Sequence, residues 1–210
     1  MQKEEVEKIN AFISENKGKR KFAQSVELAI NFKGLDFNKV ENRLNLSVLL
    51  PHGKGKTGKA AIFTDDPKVS EQAKKMGAKI ITSQEIAEIS KNPVMQNELL
   101  LYETLAQPSL MPIVAKNLGQ FLGPRGKMPK PLVGSDVENV FKNISKSIYI
   151  RSKGKYLPTA HCVVGIESMS TDQLCENIDA VFAEVVKKVG RQSIRSMYVK
   201  LTMSKPLKLM

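Results

Sequence analysis

Apolar residues Val6, Ile9, Phe12 and Ile13 recur at helical spacing and predict a short amphipathic helix that ends near Asn16 and Gly18. From Phe22 the period changes to two. Val26, Leu28, Ile30 and Phe32 alternate with polar or small residues, and Leu44, Leu46, Val48 and Leu50 do so again, which predicts two half-buried strands. Residues 34–43 join them through a polar stretch long enough for a wide loop. Three glycines and three lysines in residues 51–59 break the pattern and read as a basic linker. The texture then alternates: strand 60–64, helix 67–76, strand 78–82, helix 84–89, strand 99–102, and helices 110–121 and 135–146. After Ser147 the earlier style returns, with strands at 149–152, 160–167 and 196–203 around a long helix at 171–189. Ile178, Val181, Phe182, Val185, Val186 and Val189 give that helix an apolar stripe suited to a core.

The economical architecture is α/β with an interrupted first domain. Residues 1–56 and 148–210 make a discontinuous α/β sandwich of split β-α-β type, and residues 57–147 form an inserted Rossmann-like three-layer domain. Two chain crossings between the domains make a hinge.

Length and charge sharpen this picture. The chain has 210 residues, 41% of them hydrophobic and 26% charged, enough to bury one large or two modest cores. Its longest apolar runs, such as residues 60–63 and 99–102, fall far short of the roughly 18 residues of a membrane span. The opening MQKEEVEKIN is charged where a secretory signal is apolar, so Cys162 and Cys175 are expected to be reduced thiols in the cytoplasm. Thirty-three Lys and Arg against 21 Asp and Glu leave a net charge of +12. The excess is clustered: no acidic residue lies between Glu103 and Asp136, between Glu138 and Glu167, or after Glu184. Nucleic acid is the leading partner class, and an anionic membrane surface is the second.

Catalytic signals are thin. Gly53, Gly55 and Gly58 satisfy G-x-G-x-x-G, but a strand-like segment follows where a dinucleotide site needs a helix, and Asp65 and Asp66 come too early for a ribose contact. Gly58-Lys59-Ala60 lacks the hydroxyl that a P-loop places on magnesium. His161 and Cys162 are adjacent on a strand, so their side chains face opposite ways and cannot pair. With two histidines and two cysteines in all, no zinc spacing exists, and neither a metal nor a cofactor is implied. An enzyme using the inserted domain with a nucleotide cofactor is the alternative reading. Residues 122–131, LGPRGKMPKP, combine three prolines with Arg125, Lys127 and Lys130, and read as a rigid surface loop that either contacts phosphate or connects structure.

That LGPRGKMPKP segment resembles the signature of the universal ribosomal protein L-one family, the protein of the mobile stalk on the E-site side of the large subunit. Four further segments resemble it in the same order: Lys21-Phe22-Ala23-Gln24-Ser25-Val26-Glu27, Pro51-His52-Gly53-Lys54-Gly55, Thr159-Ala160-His161-Cys162-Val163-Val164-Gly165, and Ser196 to Met203. The short form resembles archaeal members. The resemblance implies a non-enzymatic constituent of the cytoplasmic ribosome. Its first domain grips the rRNA of the large-subunit stalk, and it assists release of E-site tRNA and represses translation by binding its own mRNA. It also implies that Lys21, Phe22, Ser25, Glu27, His161, Ser196, Thr202, Met203 and Ser204 form the main RNA surface, with Arg125, Lys127 and Lys130 a secondary contact or a structural loop. Lys21 suits phosphate and Phe22 a sugar or base, while Ser25, Glu27, His161 and Thr202 suit 2′-hydroxyls and base edges. Ser204 departs from the family's common glycine, and Leu157-Pro158 from a stretch where many relatives place one.

Overall fold

The computed structural model describes residues 3–55, 59–132, 146–151 and 157–210, together with positions 138, 140 and 143. It is mixed α/β, and its contacts divide the chain into two units, Met1–Lys56 with Ser145–Met210 and Thr57–Ile144.

In the first unit the alternation of β1 (Ser25–Phe32) places every second residue in the core. β1 lies at the centre of a sheet, antiparallel to both β8 (Thr159–Ile166) and β9 (Ile194–Leu201), and the two-residue β10 (Leu207–Lys208) edges β9. Val26, Leu28 and Ile30 of β1, Val164 of β8 and Val199 of β9 join one core with Ile9 and Ile13 of α1 (Lys3–Asn16). The long helix α6 (Thr171–Val189) adds Leu174, Ile178, Val181 and Val185 to that core. α6 starts where its composition says it must. The Ser170 hydroxyl accepts from the Gln173 N–H, the Gln173 side chain accepts from the Ser170 N–H, and Gly190 ends the helix at a φ of 77°. A two-stranded ribbon, β2 (Asn45–Leu49) against β7 (Ser147–Arg151), contributes Val48, Ile148 and Ile150 to the same core.

The segment read as a linker is pinned where it is described. Asn177 of α6, fully buried, donates from Nδ2 to the carbonyls of Gly53 (3.0 Å) and Val164 (2.8 Å) and accepts at Oδ1 from the His52 N–H (3.1 Å). Gly55 sits at a φ of +72°, and a Cβ there would stand 2.5 Å from Ile166 Cγ1. A Gly55→Ala variant is therefore expected to lose about 1–3 kcal/mol of first-unit stability, from left-handed strain and overpacking together, read as a lower urea midpoint. Residues 56–58, including the third glycine of the literal G-x-G-x-x-G match, lie outside the described residues.

In the second unit β3 (Ala60–Phe63) is buried along its whole length, as a strand covered on both faces must be. It pairs in parallel with β4 (Lys79–Ile81) and β5 (Glu103–Ala106), and β6 (Lys130–Pro131) extends the sheet in the order β4-β3-β5-β6. Ala61, Phe63 and Ala106 pack with Ile86 and Ile89 of α3 (Ser83–Lys91) and with Val114 and Leu118 of α5 (Met111–Leu122). Ile62 and Leu105 pack with Ala73 of α2 (Pro67–Lys75). Asp66 caps α2 by accepting from the Lys68 N–H at 2.9 Å.

Three expectations shift. The strand expected at 99–102 is the end of α4 (Pro93–Leu99) and a turn, and the strand is Glu103–Ala106. Asn92 caps α4 through the Val94 N–H with Pro93 in its first turn, so Leu99 reaches the core from a helix. The last long strand ends at Leu201 rather than Met203, with Thr202 and Met203 in a turn. The LGPRGKMPKP segment is not all loop, since Leu122 ends α5 and Lys130 and Pro131 add an edge strand. The helix expected at 135–146 lies largely outside the described residues, as does the end of the strand expected at 149–152.

Candidate nucleic-acid interface

Helices cover one face of the first sheet, and the alternate residues of its strands are left on the other. On β1 these are Ser25, Glu27, Ala29 and Asn31, each half-buried. Register builds rows across the strands. Glu27 lies opposite Lys200 of β9 and Val163 of β8, Ala29 opposite Tyr198 and His161, and Asn31 opposite Ser196 and Thr159. Residues directly opposite in adjacent strands share a face. Lys208 of β10 continues the Tyr198 row.

Lys21 and Phe22 precede β1 and are exposed, Phe22 by 51%. Ser25 is tied to Thr202, its N–H donating to Thr202 Oγ1 (3.1 Å) while the Thr202 N–H donates to its carbonyl (3.1 Å). Met203, 57% exposed, is held by its backbone, the N–H donating to Gln24 Oε1 at 3.1 Å. Glu27 Oε2 stands 3.8 Å from Lys200 Nζ, each side chain about a third exposed. Ser196 is nearly covered and accepts at Oγ from Asn31 Nδ2 (3.0 Å). Ser204 turns inward to close its own turn, its Oγ accepting from the Leu201 N–H at 2.8 Å.

The structure thus gathers Lys21, Phe22, Ser25, Thr202 and Met203 at one end of β1, and sets Glu27, His161 and Ser196 along the open face. Beneath the gathered end lies a buried polar node. Gln24, 2% exposed, donates from Nε2 to Glu167 Oε2 (3.2 Å) and to the Asn16 carbonyl (3.3 Å), and its own carbonyl accepts from the Glu167 N–H (3.0 Å). One side chain ties the end of α1, the start of β1, the end of β8 and the Met203 turn.

Arg125, Lys127 and Lys130 belong to the second unit. Arg125 lies over the Phe121 ring, 4.0 Å from its centroid, and donates to the Phe121 carbonyl at 2.9 Å. Lys127 Nζ reaches Glu103 Oε1 and the Tyr102 carbonyl, both at 3.4 Å, and its carbonyl accepts from Thr104 Oγ1 at 2.9 Å. Half-buried Lys130 lies in β6. The side chains of Arg125 and Lys127 are thus engaged within their own unit.

Sequence reasoning missed Asn31, Tyr198 and Lys200 on the open face. Their signal was present, because the alternation that places Ser25 and Glu27 outward also places Asn31 outward, and Ser196 predicts Tyr198 and Lys200. Gln24 and Glu167 had no such signal, since their pairing joins residues 143 positions apart.

No cysteine here is chemically activated. Burial pushes the Cys162 thiol up to about 12, and burial with the Asp179 and Asp172 carboxylates raises Cys175 to about 11, so both stay protonated at neutral pH. Cys162 packs against the core while His161 is exposed, on the opposite face. His52 Nε2 pairs with Glu176 Oε2 at 2.6 Å rather than with a nucleophile. Among the described residues no three His, Cys, Asp or Glu side chains are placed to hold a metal, and no helix is long and apolar enough to cross a membrane.

A polar sheet face on a chain of net charge +12 has the make-up of a binding surface. Residues 12–205 match the ribosomal protein L1p/L10e family, and the chain belongs to it. It is 42% identical to the large ribosomal subunit protein uL1 of Pyrococcus horikoshii, over 88% of this chain and 85% of that protein. It is 40% identical to the uL1 of Methanosarcina mazei over 92% of each, and 37% identical to that of Methanocella arvoryzae over 99% of each. The chain is accordingly a structural constituent of the large subunit of the cytoplasmic ribosome and not an enzyme, of archaeal type.

Proposed function

We propose that the open face of the first sheet grips the rRNA of the large-subunit stalk. The observation that carries this reading is the face itself: a sheet covered by helices on one side only, whose other side presents Glu27, His161, Tyr198 and Lys200 beside exposed Lys21, Phe22 and Met203. Lysines neutralise phosphate, whereas carboxylate, imidazole and hydroxyl groups read ribose and base edges, and Phe22 and Met203 pack on them. In this reading residues 1–56 with 148–210 are the rRNA-binding domain. Residues 57–147 are an inserted domain whose Arg125, Lys127 and Lys130 serve chiefly its own loop. A protein holding the stalk in this way assists release of E-site tRNA, and a stalk-like element in its own mRNA occupies the same face and represses translation.

The test is binding to an rRNA stalk fragment against a duplex of equal length across a salt series, because salt removes the phosphate contribution and leaves specific contacts. Preference for the stalk is expected to persist at high salt, and Phe22→Ala is expected to weaken it by roughly 1–3 kcal/mol without unfolding the protein. Equal and steeply salt-sensitive binding to both RNAs would leave only generic attraction to polyanions.

A further inference from the structure

We infer that Tyr198, Ala29 and His161 form a slot for one unstacked RNA nucleotide, a subsite that rests on the reading of this face as the RNA surface. The three residues make one row across β9, β1 and β8, with the single methyl of Ala29 between two rings. Neighbouring strands are about 4.8 Å apart, so the two ring-bearing strands stand about 10 Å apart across Ala29. A flat base stacked at about 3.5–4 Å on each ring needs about 7–8 Å between the ring faces, which an interval of about 10 Å admits.

Polar side chains border the slot on both sides along the strands. On one side Asn31 donates to Ser196 at 3.0 Å, and on the other Glu27 faces Lys200 at 3.8 Å. These side chains occupy the rows on either side of Ala29. Neither Tyr198 nor His161 has a side-chain hydrogen bond among the described residues, which leaves the phenol and the imidazole available to a ligand.

Charge and shape select the occupant. Lys208 lies opposite Tyr198 on β10 and Lys200 borders the slot, placing cations where the phosphates of a bound nucleotide pass. The aromatic walls stack on any base, and the phenol and imidazole can bond a 2′-hydroxyl, which DNA lacks. A base held in a duplex cannot enter, because its faces are already covered. The slot therefore takes a bulged or loop nucleotide and gives the face its preference for irregular RNA over a helix.

Ala29→Leu fills the slot with an apolar side chain that sheet geometry accepts and leaves every polar group of the face in place. Its affinity for the stalk fragment is expected to fall about tenfold or more with an unchanged salt slope, and Tyr198→Leu is expected to do the same. In parallel, 2-aminopurine is placed at each unpaired position of the fragment in turn. The intact protein is expected to change the fluorescence strongly at one position, and Ala29→Leu to abolish that change. Circular dichroism and a melting curve confirm that each variant is folded, and Tyr198→Leu with the fluorescence scan decides the matter if Ala29→Leu is not. Wild-type preference for the stalk with undiminished binding by the folded variants, or no position that responds, overturns the slot alone. Absence of any wild-type preference overturns the RNA face itself.

Discussion

An Asn177→Ala variant is expected to lose roughly 3–4 kcal/mol of first-unit stability. Asn177 is fully buried and makes three hydrogen bonds to backbone: the Gly53 and Val164 carbonyls and the His52 N–H. Truncation leaves all three groups without that partner inside the protein. Each buried unsatisfied group costs on the order of 1–3 kcal/mol, although neighbouring groups relax together and the costs do not add fully. The distinguishing control is Asn177→Leu. It restores the volume but none of the hydrogen bonds, so it is expected to remain destabilised, whereas a residue that mattered only for packing would be rescued. Native-state hydrogen exchange at the amides of β1 and β8 reads the free energy of this unit separately from the other. A loss below about 1 kcal/mol in both variants would mean that water or a backbone shift replaces the clamp.

The second large effect concerns RNA and turns on its sign. Glu27→Ala is expected to weaken binding to the stalk fragment by roughly 1–3 kcal/mol while binding to a plain duplex at low salt becomes slightly tighter. A carboxylate on a basic surface repels phosphate, so its removal strengthens every non-specific contact. A drop in specific affinity therefore requires Glu27 to accept a hydrogen bond that only the correct RNA supplies, from a ribose hydroxyl or an exocyclic amine. Unfolding does not confuse the result. The Glu27 and Lys200 pair is spaced at 3.8 Å with both side chains about a third exposed, and such pairs contribute less than about 1 kcal/mol. Glu27→Gln keeps an acceptor without the charge and is expected to fall between wild type and alanine. Tighter binding of Glu27→Ala to both RNAs would make Glu27 a solvated strand residue and remove it from the interface.

Legibility followed the range of the forces involved. The elements were readable because each is set by residues a few positions apart: the two-residue period of β1, the apolar stripe of α6 with Ser170 and Gln173 at its start, and the unbroken apolar run of β3. The misplaced strand at 99–102 fails for a local reason of its own. A short apolar run has no period to separate helix from strand, and Asn92 with Pro93 decides for the helix from upstream. Among the site residues, Lys21 and Phe22 were visible through the resemblance of their segment, and the structure leaves both exposed. Ser196 and Ser204 were visible in the same way, yet their hydroxyls turn to Asn31 and to the Leu201 N–H. A motif names a residue without saying what its side chain already holds.

By itself the sequence determined the α/β class, the excess of positive charge, the positions of most helices and strands, and the ribosomal family, because period, composition and motif are properties of neighbouring residues. Only the tertiary structure decided that Ser25 closes on Thr202, that Gln24 holds Glu167 and the Met203 turn, that Asn177 clamps residues 52 and 53, and that Tyr198 and His161 flank Ala29. These partners lie more than 100 residues apart along the chain. Burial of the shared core brings both chain ends into one sheet, and strand register, set by which face that core must cover, then chooses which polar side chains meet.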